Sequence, residues 1–284
     1  MILHNAKYDN IPRQKRVAAI HDLSGFGKCS LTVILPTLSA MGIQVCPVPT
    51  AVLSTHTGGF DNMVFKDLTD YISPAYEHYK QLGIEFDAIY SGFLASEAQI
   101  DCCLEFFTGN GNALKIADPV MGDFGKPYKT YTKQMCMRMS ELAAVADIIT
   151  PNLTEAAILL NEDYKTQLTL SQTQDWLKRL CEFAPMAVIT GVNTGDEICN
   201  VSYERESGSF NKIIYEYVPE HYPGTGDIFT SVLTGALLQG DELSVAVSRA
   251  TDFAQATVEL TFAMGSPPRE GVLFEGMLGD IMKW

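Results

Sequence analysis

At 284 residues the chain is long enough for one large α/β domain, and no internal repeat, low-complexity tract or Pro/Ser-rich linker argues for a second. Its formal charge of −14 opposes nucleic acid as a partner, and no apolar run approaches the roughly 18 residues that span a bilayer. The seven cysteines show no C-x-x-C pair and no zinc-like spacing, so they read as reduced thiols of a cytoplasmic protein.

Residues 1–15 lack the apolar stretch of a secretory signal and read as a short extension before the first strand. Short apolar runs then alternate with helical segments, the pattern of a mostly parallel sheet flanked by helices. Strands are predicted at Arg16–His21, Val45–Val48, Ala88–Ser91, Ala113–Asp118, Asp147–Thr150 and Met186–Thr190. Helices are predicted at Lys28–Met41, Asp67–Leu82, Glu97–Thr108, Thr132–Ala144, Thr154–Leu160 and Ser171–Phe183. After Thr190 the order changes. Glu197–Tyr203 and Phe210–Val218, joined by Arg205-Glu206-Ser207-Gly208, read as an antiparallel hairpin on the sheet edge. Two long helices follow, Asp227–Gln239 and Ser244–Phe262, and the apolar spacing of Phe274, Leu278 and Trp284 predicts a packed terminal helix.

The most informative stretch is Gly224-Thr225-Gly226-Asp227, directly before a helix-like run. Two glycines let the backbone approach a ligand and turn its N–H groups outward, and a helix N-terminus there forms an anion site. A carboxylate inside an anion hole repels a phosphate unless it must meet a hydroxyl that attacks that phosphate, so the motif suggests phosphoryl transfer to an alcohol. The same residues also suit an ordinary Gly-rich turn with Asp227 favouring the helix dipole.

In open α/β sheets ligands bind beyond the carboxyl ends of the strands, which brings Asp22, Asp118, Asn152 and Gly191 to the same edge as the Gly224 loop. Asp22 either accepts a hydrogen bond from a polar substrate or caps the next turn. His56, in Ser54-Thr55-His56-Thr57-Gly58-Gly59, is either a ligand contact or a surface imidazole. Asp118 and the Thr150-Pro151-Asn152-Leu153-Thr154-Glu155 segment supply the hard oxygen donors a magnesium–nucleotide complex needs, while Asn152 and Glu155 equally suit a capping box. The Gly- and Pro-rich Gly122–Tyr128 segment suggests a lid, in which Lys126 either reaches phosphates or stays solvated.

Taken together, Val52-Leu53-Ser54-Thr55-His56-Thr57-Gly58, Ser91-Gly92-Phe93-Leu94, Asp118-Pro119-Val120-Met121-Gly122-Asp123, Ala146 to Asn152 with Glu155, and Gly224-Thr225-Gly226-Asp227 resemble the pyridoxal kinase family of the ribokinase-like superfamily. The resemblance runs from Ala19 to about Gly240. It implies a three-layer αβα fold with a mostly parallel central sheet, and ATP-dependent phosphorylation of the 5′-hydroxymethyl group of pyridoxal, pyridoxamine or pyridoxine. By resemblance Asp227 is the base, and Gly224, Thr225 and Gly226 form the anion hole. Asp22, His56, Thr57 and Phe93 line the pyridine pocket. Asp118, Thr150, Asn152, Glu155, Thr190 and Gly191 serve ATP, with Asp118 and Glu155 towards Mg²⁺ and a monovalent cation such as K⁺ nearby. A homodimer is also implied. Asp22 and Phe93 depart from the serine and tyrosine common in that family, and the departures are expected to shift preference among vitamers. The hydroxymethylpyrimidine (phosphate) kinases share the fold and the flavour of Asp22-Leu23-Ser24-Gly25, but typically carry cysteine where this chain has Asp227. A non-catalytic vitamin or nucleotide sensor on the same scaffold is the remaining reading.

Overall fold

The structure, a computed structural model, describes residues 13–282. The predicted extension over residues 1–15 and Trp284 therefore lie mostly or wholly outside the described residues.

Nine strands form one twisted sheet in the order β11-β10-β9-β8-β5-β4-β1-β2-β3. Six of them, β1 (Arg16–Phe26), β2 (Gln44–Thr55), β4 (Ala88–Ser91), β5 (Leu114–Ala117), β8 (Ile148–Ile149) and β9 (Met186–Asn193), run parallel. The antiparallel hairpin of β10 (Ile198–Glu204) and β11 (Ser209–Tyr215) closes one edge, as the sequence predicts. The other edge carries β3 (Phe65–Asp67), also antiparallel, which the sequence does not announce: three exposed residues give no period to read.

The parallel strands read as near-continuous apolar runs because both faces are covered. Alternate residues of β1 divide between two cores. Ala18 and Ile20 pack with α2 (Thr69–Gln81), α3 (Glu97–Gly109), α4 (Lys133–Ala144), α5 (Leu153–Leu160) and α6 (Leu170–Leu180). Val17 and Ala19 pack with α1 (Leu31–Ala40), α7 (Thr225–Leu238) and α8 (Leu243–Ala263). Each fully buried Leu or Ile, such as Leu38 or Ile89, contributes about 1.5–3 kcal/mol. The result is the three-layer αβα arrangement.

Several boundaries differ from prediction, each for a physical reason. β1 and β2 continue past His21 and Val48 because they pair with each other as far as Phe26 and Thr55, with a register shift between His21 and Leu23. Asp22 thus sits inside a strand, opposite an extra residue of β2, rather than after it. Pro47 and Pro49 are tolerated in β2 because β3 pairs only with residues 51–53, leaving an edge at the prolines. Gly191 lies within β9, not beyond it. Helix α1 starts at Leu31 instead of Lys28, since Ser30 takes φ 52, ψ −135. The suggested lid is a small hairpin, β6 (Gly122–Asp123) and β7 (Lys126–Pro127), turned at Phe124 and Gly125. The terminal helix is instead two 3₁₀ turns, Pro268–Glu270 and Glu275–Met277, and the short α9 (Leu278–Ile281). Gly271 and Gly276 interrupt any longer helix there.

Candidate active site

Asp227 lies in the first turn of α7, whose start carries no side-chain cap. The first N–H groups of a helix lack intrahelical partners, so this turn presents donors and a partial positive charge. The two glycines of the motif differ in purpose. Gly224 has φ +85, and a Cβ there would stand 2.1 Å from the Lys28 carbonyl oxygen, so it lets two loop backbones touch. Gly226 has no positive φ, and a Cβ added to it would meet nothing within 4 Å. Neither internal packing nor local geometry demands that glycine; the open space beside it suits a ligand lying against the backbone.

Two neighbours flank the Asp227 carboxylate. Its Oδ2 accepts the Ser30 N–H at 2.8 Å, from the loop between β1 and α1. Its Oδ1 lies 3.8 Å from Nδ1 of His21, on β1. Burial raises the Asp227 pKa to about 7, the Ser30 bond opposes the rise, and the neighbouring Asp22 charge adds to it. His21 is fully buried, and burial depresses its pKa to about 3, so the ring is neutral. It stands edge-on to Tyr90 at 4.6 Å. It also explains Gly92: a Cβ there would fall 1.7 Å from His21 Cε1.

The strand ends β5 and β8 bring two further carboxylates. Asp118 is buried with its Oδ2 3.5 Å from Thr230 Oγ1, which lies 3.2 Å from Thr150 Oγ1. Glu155 completes the capping box of α5: Asn152 Oδ1 accepts the N–H groups of Thr154 and Glu155, and Glu155 Oε2 accepts the Asn152 N–H at 2.9 Å. Glu155 Oε1 accepts the Met121 N–H at 3.1 Å, and Asn152 Nδ2 donates to the Gly122 carbonyl at 2.9 Å. Capping therefore fastens the β6–β7 hairpin to the site. Thr190 pairs with Asn152 through an isolated parallel bridge, and Gly191 donates its N–H to Asn200 Oδ1. Burial pushes the pKa values of Asp118 and Glu155 well above the usual carboxylate range; the Asp227 charge adds to the rise at Asp118, and the Asp118 charge to the rise at Glu155.

Among the described residues, none of Asp22, Asp118, Glu155 and Asp227 is ion-paired with lysine or arginine. No three His, Cys, Asp or Glu side chains there cluster closely enough to hold a metal by themselves. Two repelling carboxylates of hard oxygen character nonetheless fit Mg²⁺, which characteristically takes one or two carboxylates and fills its shell with phosphate oxygens and water.

The remaining predicted residues are placed as follows. Asp22 is buried, its Oδ1 accepting the Ser30 hydroxyl at 2.6 Å and its Oδ2 the Ser24 hydroxyl at 2.7 Å. Burial raises its pKa against those bonds. His56 has both ring nitrogens in use: Nδ1 accepts the Gly58 N–H at 3.1 Å, which makes Nε2 the donor to the Arg269 carbonyl at 2.7 Å. Thr57 is exposed in the following turn. Phe93 is buried with its ring edge-on to Tyr131. Among the described residues no hydrogen bond or ring contact joins Thr57 or Phe93 to Asp227.

Sequence reasoning missed Ser30, His21 and Thr230. Thr230 was findable, three residues after Asp227 and so on the same helix face. Ser30 and His21 reach Asp227 only through the tertiary fold.

Two recesses lie elsewhere. One of about 440 Å³ opens beside β9 to β11, lined by Asn193, Glu197, Ile214, Tyr215 and Tyr217, and adjoins Gly191 through Tyr215. The other, about 400 Å³ at Arg13, Lys15, Asp87 and Asn110, is at the amino ends of β1 and β4, the wrong end of the sheet for a ligand of this fold.

A parallel sheet whose carboxyl edge gathers an uncapped, glycine-opened helix start, a buried carboxylate on that helix and two more at strand ends defines a ribokinase-like kinase. The sequence profile of the phosphomethylpyrimidine kinase family matches residues 35–270. A Bacteroides thetaiotaomicron protein, provisionally described as a phosphomethylpyrimidine kinase, has a crystal structure that superposes with a TM-score of 0.92 at 42% identity, covering 95% of this chain and 94% of its own. A second crystal form of it, with pyridoxal, gives 0.91. Pyridoxal kinase from Lactobacillus plantarum superposes with a TM-score of 0.86 at 30% identity over 95% of this chain and 97% of its own. A Saccharomyces cerevisiae protein provisionally described as a pyridoxal kinase is 27% identical over 69% of this chain, which spans 66% of that relative's length. The chain belongs to the phosphomethylpyrimidine kinase family, and in sequence and structure it stands among that family's pyridoxal kinases.

Proposed function

We propose that the protein transfers the γ-phosphoryl group of ATP to the 5′-hydroxymethyl group of pyridoxal, pyridoxamine or pyridoxine. The observation that carries this reading is the Asp227 carboxylate, with a pKa near 7, on the first turn of an uncapped helix beside the open space at Gly226. The pyridine ring is favoured by the 42% identical relative crystallised with pyridoxal.

An alcohol is too weak an acid to lose its proton first. Asp227 therefore orients the hydroxyl and takes its proton late, while the hydroxyl oxygen bonds to the γ-phosphorus and the bond to ADP breaks. The N–H groups of residues 225–227 stabilise the charge on the transferring phosphoryl oxygens. Asp118 and Glu155 are the residues that would hold Mg²⁺, which would neutralise phosphate charge that this acidic chain cannot. The recess beside Gly191 suits the nucleotide base, with Tyr215 and Ile214 as apolar walls.

Asp227→Asn tests the assignment. ADP release with Mg-ATP and pyridoxal is expected to fall about 100-fold or more, while binding of the vitamin persists. Unchanged turnover would remove Asp227 from the chemistry. Phosphorylation of hydroxymethylpyrimidine, the activity the family description favours, is the second reading.

A further inference from the structure

We propose that Asp22 acts as a positioning residue: it clamps the Ser30 peptide in a left-handed conformation, and the N–H of that peptide holds the Asp227 carboxylate where the substrate hydroxyl must meet it. The inference rests on the reading of Asp227 as the proton acceptor.

Ser30 has φ 52 and ψ −135, a region that glycine enters freely and other residues occupy only when the surroundings force them. Three of its atoms are pinned. The hydroxyl donates to Asp22 Oδ1 at 2.6 Å, the N–H donates to Asp227 Oδ2 at 2.8 Å, and the carbonyl accepts the N–H groups of Val33 and Ile34, each at 3.0 Å, to begin α1. The carbonyl bonds belong to the helix and would form with an ordinary cap as well. The hydroxyl bond is different, because it tethers the strained residue sideways to β1. Without it the peptide can relax towards negative φ, which turns the N–H away from Asp227.

The surroundings of Asp22 favour this role over contact with the vitamin. It is 4% exposed, and both of its oxygens face serine hydroxyls of the protein. The β1–β2 register gives the same picture from the backbone: it shifts at Asp22, which stands opposite two residues of β2, Thr50 and Ala51, and is the residue that reaches Ser30. Asp22, Ser30 and Asp227 thus form one chain of hydrogen bonds leading into the site.

A double-mutant cycle tests this. Steady-state kinetics would compare the native protein with Asp22→Ala, Ser30→Ala, Ser30→Gly and the Asp22→Ala/Ser30→Gly pair, with thermal unfolding to establish that each is folded. Asp22→Ala and Ser30→Ala remove the same bond from its two ends, and each is expected to lower kcat about 10- to 100-fold with KM for the vitamin within about threefold of native. Glycine adopts this conformation without strain and has no hydroxyl for Asp22 to hold, so Asp22→Ala made on top of Ser30→Gly is expected to cost less than about threefold. An equal loss in both backgrounds would overturn the proposal. So would a rise in KM for one vitamer at unchanged kcat, which would make Asp22 a substrate ligand. Should Asp22→Ala not fold, Ser30→Ala against Ser30→Gly makes the same comparison, and equal kcat values in that pair would overturn it. Asp227→Asn in the same assay separates the two levels: if it keeps native turnover, the base assignment fails, whatever the cycle shows.

Discussion

As the proposed base, Asp227 is a carboxylate readied by its surroundings to accept a proton near neutral pH. Burial raises its pKa to about 7, one backbone N–H restrains the rise, and no lysine or arginine among the described residues cancels it. Because the reaction needs the ionised form, kcat/KM is expected to climb with pH through about 7 and level off above it. A profile flat from pH 5.5 to 8 would contradict that assignment. The sequence already marked Asp227, Asp118, Asn152 and Glu155, since each sits in a motif with its own chemical logic. Ser30 was illegible because positive φ at a serine is imposed by partners far away in the chain. His21 was illegible for the opposite reason: a histidine inside an apolar strand reads as core, and only the fold places it 3.8 Å from Asp227.

At the scale of elements, the site is a junction of two loop backbones. The β1–α1 loop lies on the start of α7 so closely that Gly224 and Gly271 both face the Lys28 carbonyl, at 2.1 and 2.8 Å from a would-be Cβ. The same substitution two residues apart should therefore have opposite effects. Gly224→Ala forces a backbone clash at positive φ and is expected to destabilise the fold by about 2 kcal/mol or more, read as a lowered Tm. Gly226→Ala meets empty space within a helical turn, so Tm is expected to hold or rise slightly while kcat/KM falls at least about tenfold. Retained activity in Gly226→Ala would mean that no ligand lies against that backbone. Element order and the apolar β/α alternation were legible, because parallel strands covered on both faces announce themselves. Strand ends were less so: β1 and β2 run on by pairing with each other, and β3 exists only because β2 offers it an edge.

For the whole molecule, the cluster of acids sets a pH dependence of stability. Asp22, Asp118, Glu155 and Asp227 all have folded pKa values raised above their unfolded ones, so between about pH 4 and their raised values the folded state holds more protons than the unfolded. Their combined contribution falls as pH rises through that window. His21 acts with the opposite sign: its depressed pKa removes stability as pH falls from about 6.5 towards 3. Asp227, with its value near 7, titrates inside this window, so without metal or nucleotide Tm is expected to be higher at pH 5.5 than at pH 8, and Asp227→Asn should reduce the difference. A Tm that rises from pH 5.5 to 8 in the native protein would contradict the balance. On the proposed reading, a cation and a phosphate complete that gathering of carboxylates.

The measurement that bears most directly on the function is ADP release with Mg-ATP, run in parallel on pyridoxal, pyridoxamine, pyridoxine and hydroxymethylpyrimidine and compared as kcat/KM. Turnover at least about tenfold in favour of the pyridine vitamers is the expected result, a difference worth about 1.4 kcal/mol in transition-state binding. Preference for hydroxymethylpyrimidine would contradict it and assign the site to the pyrimidine substrate instead.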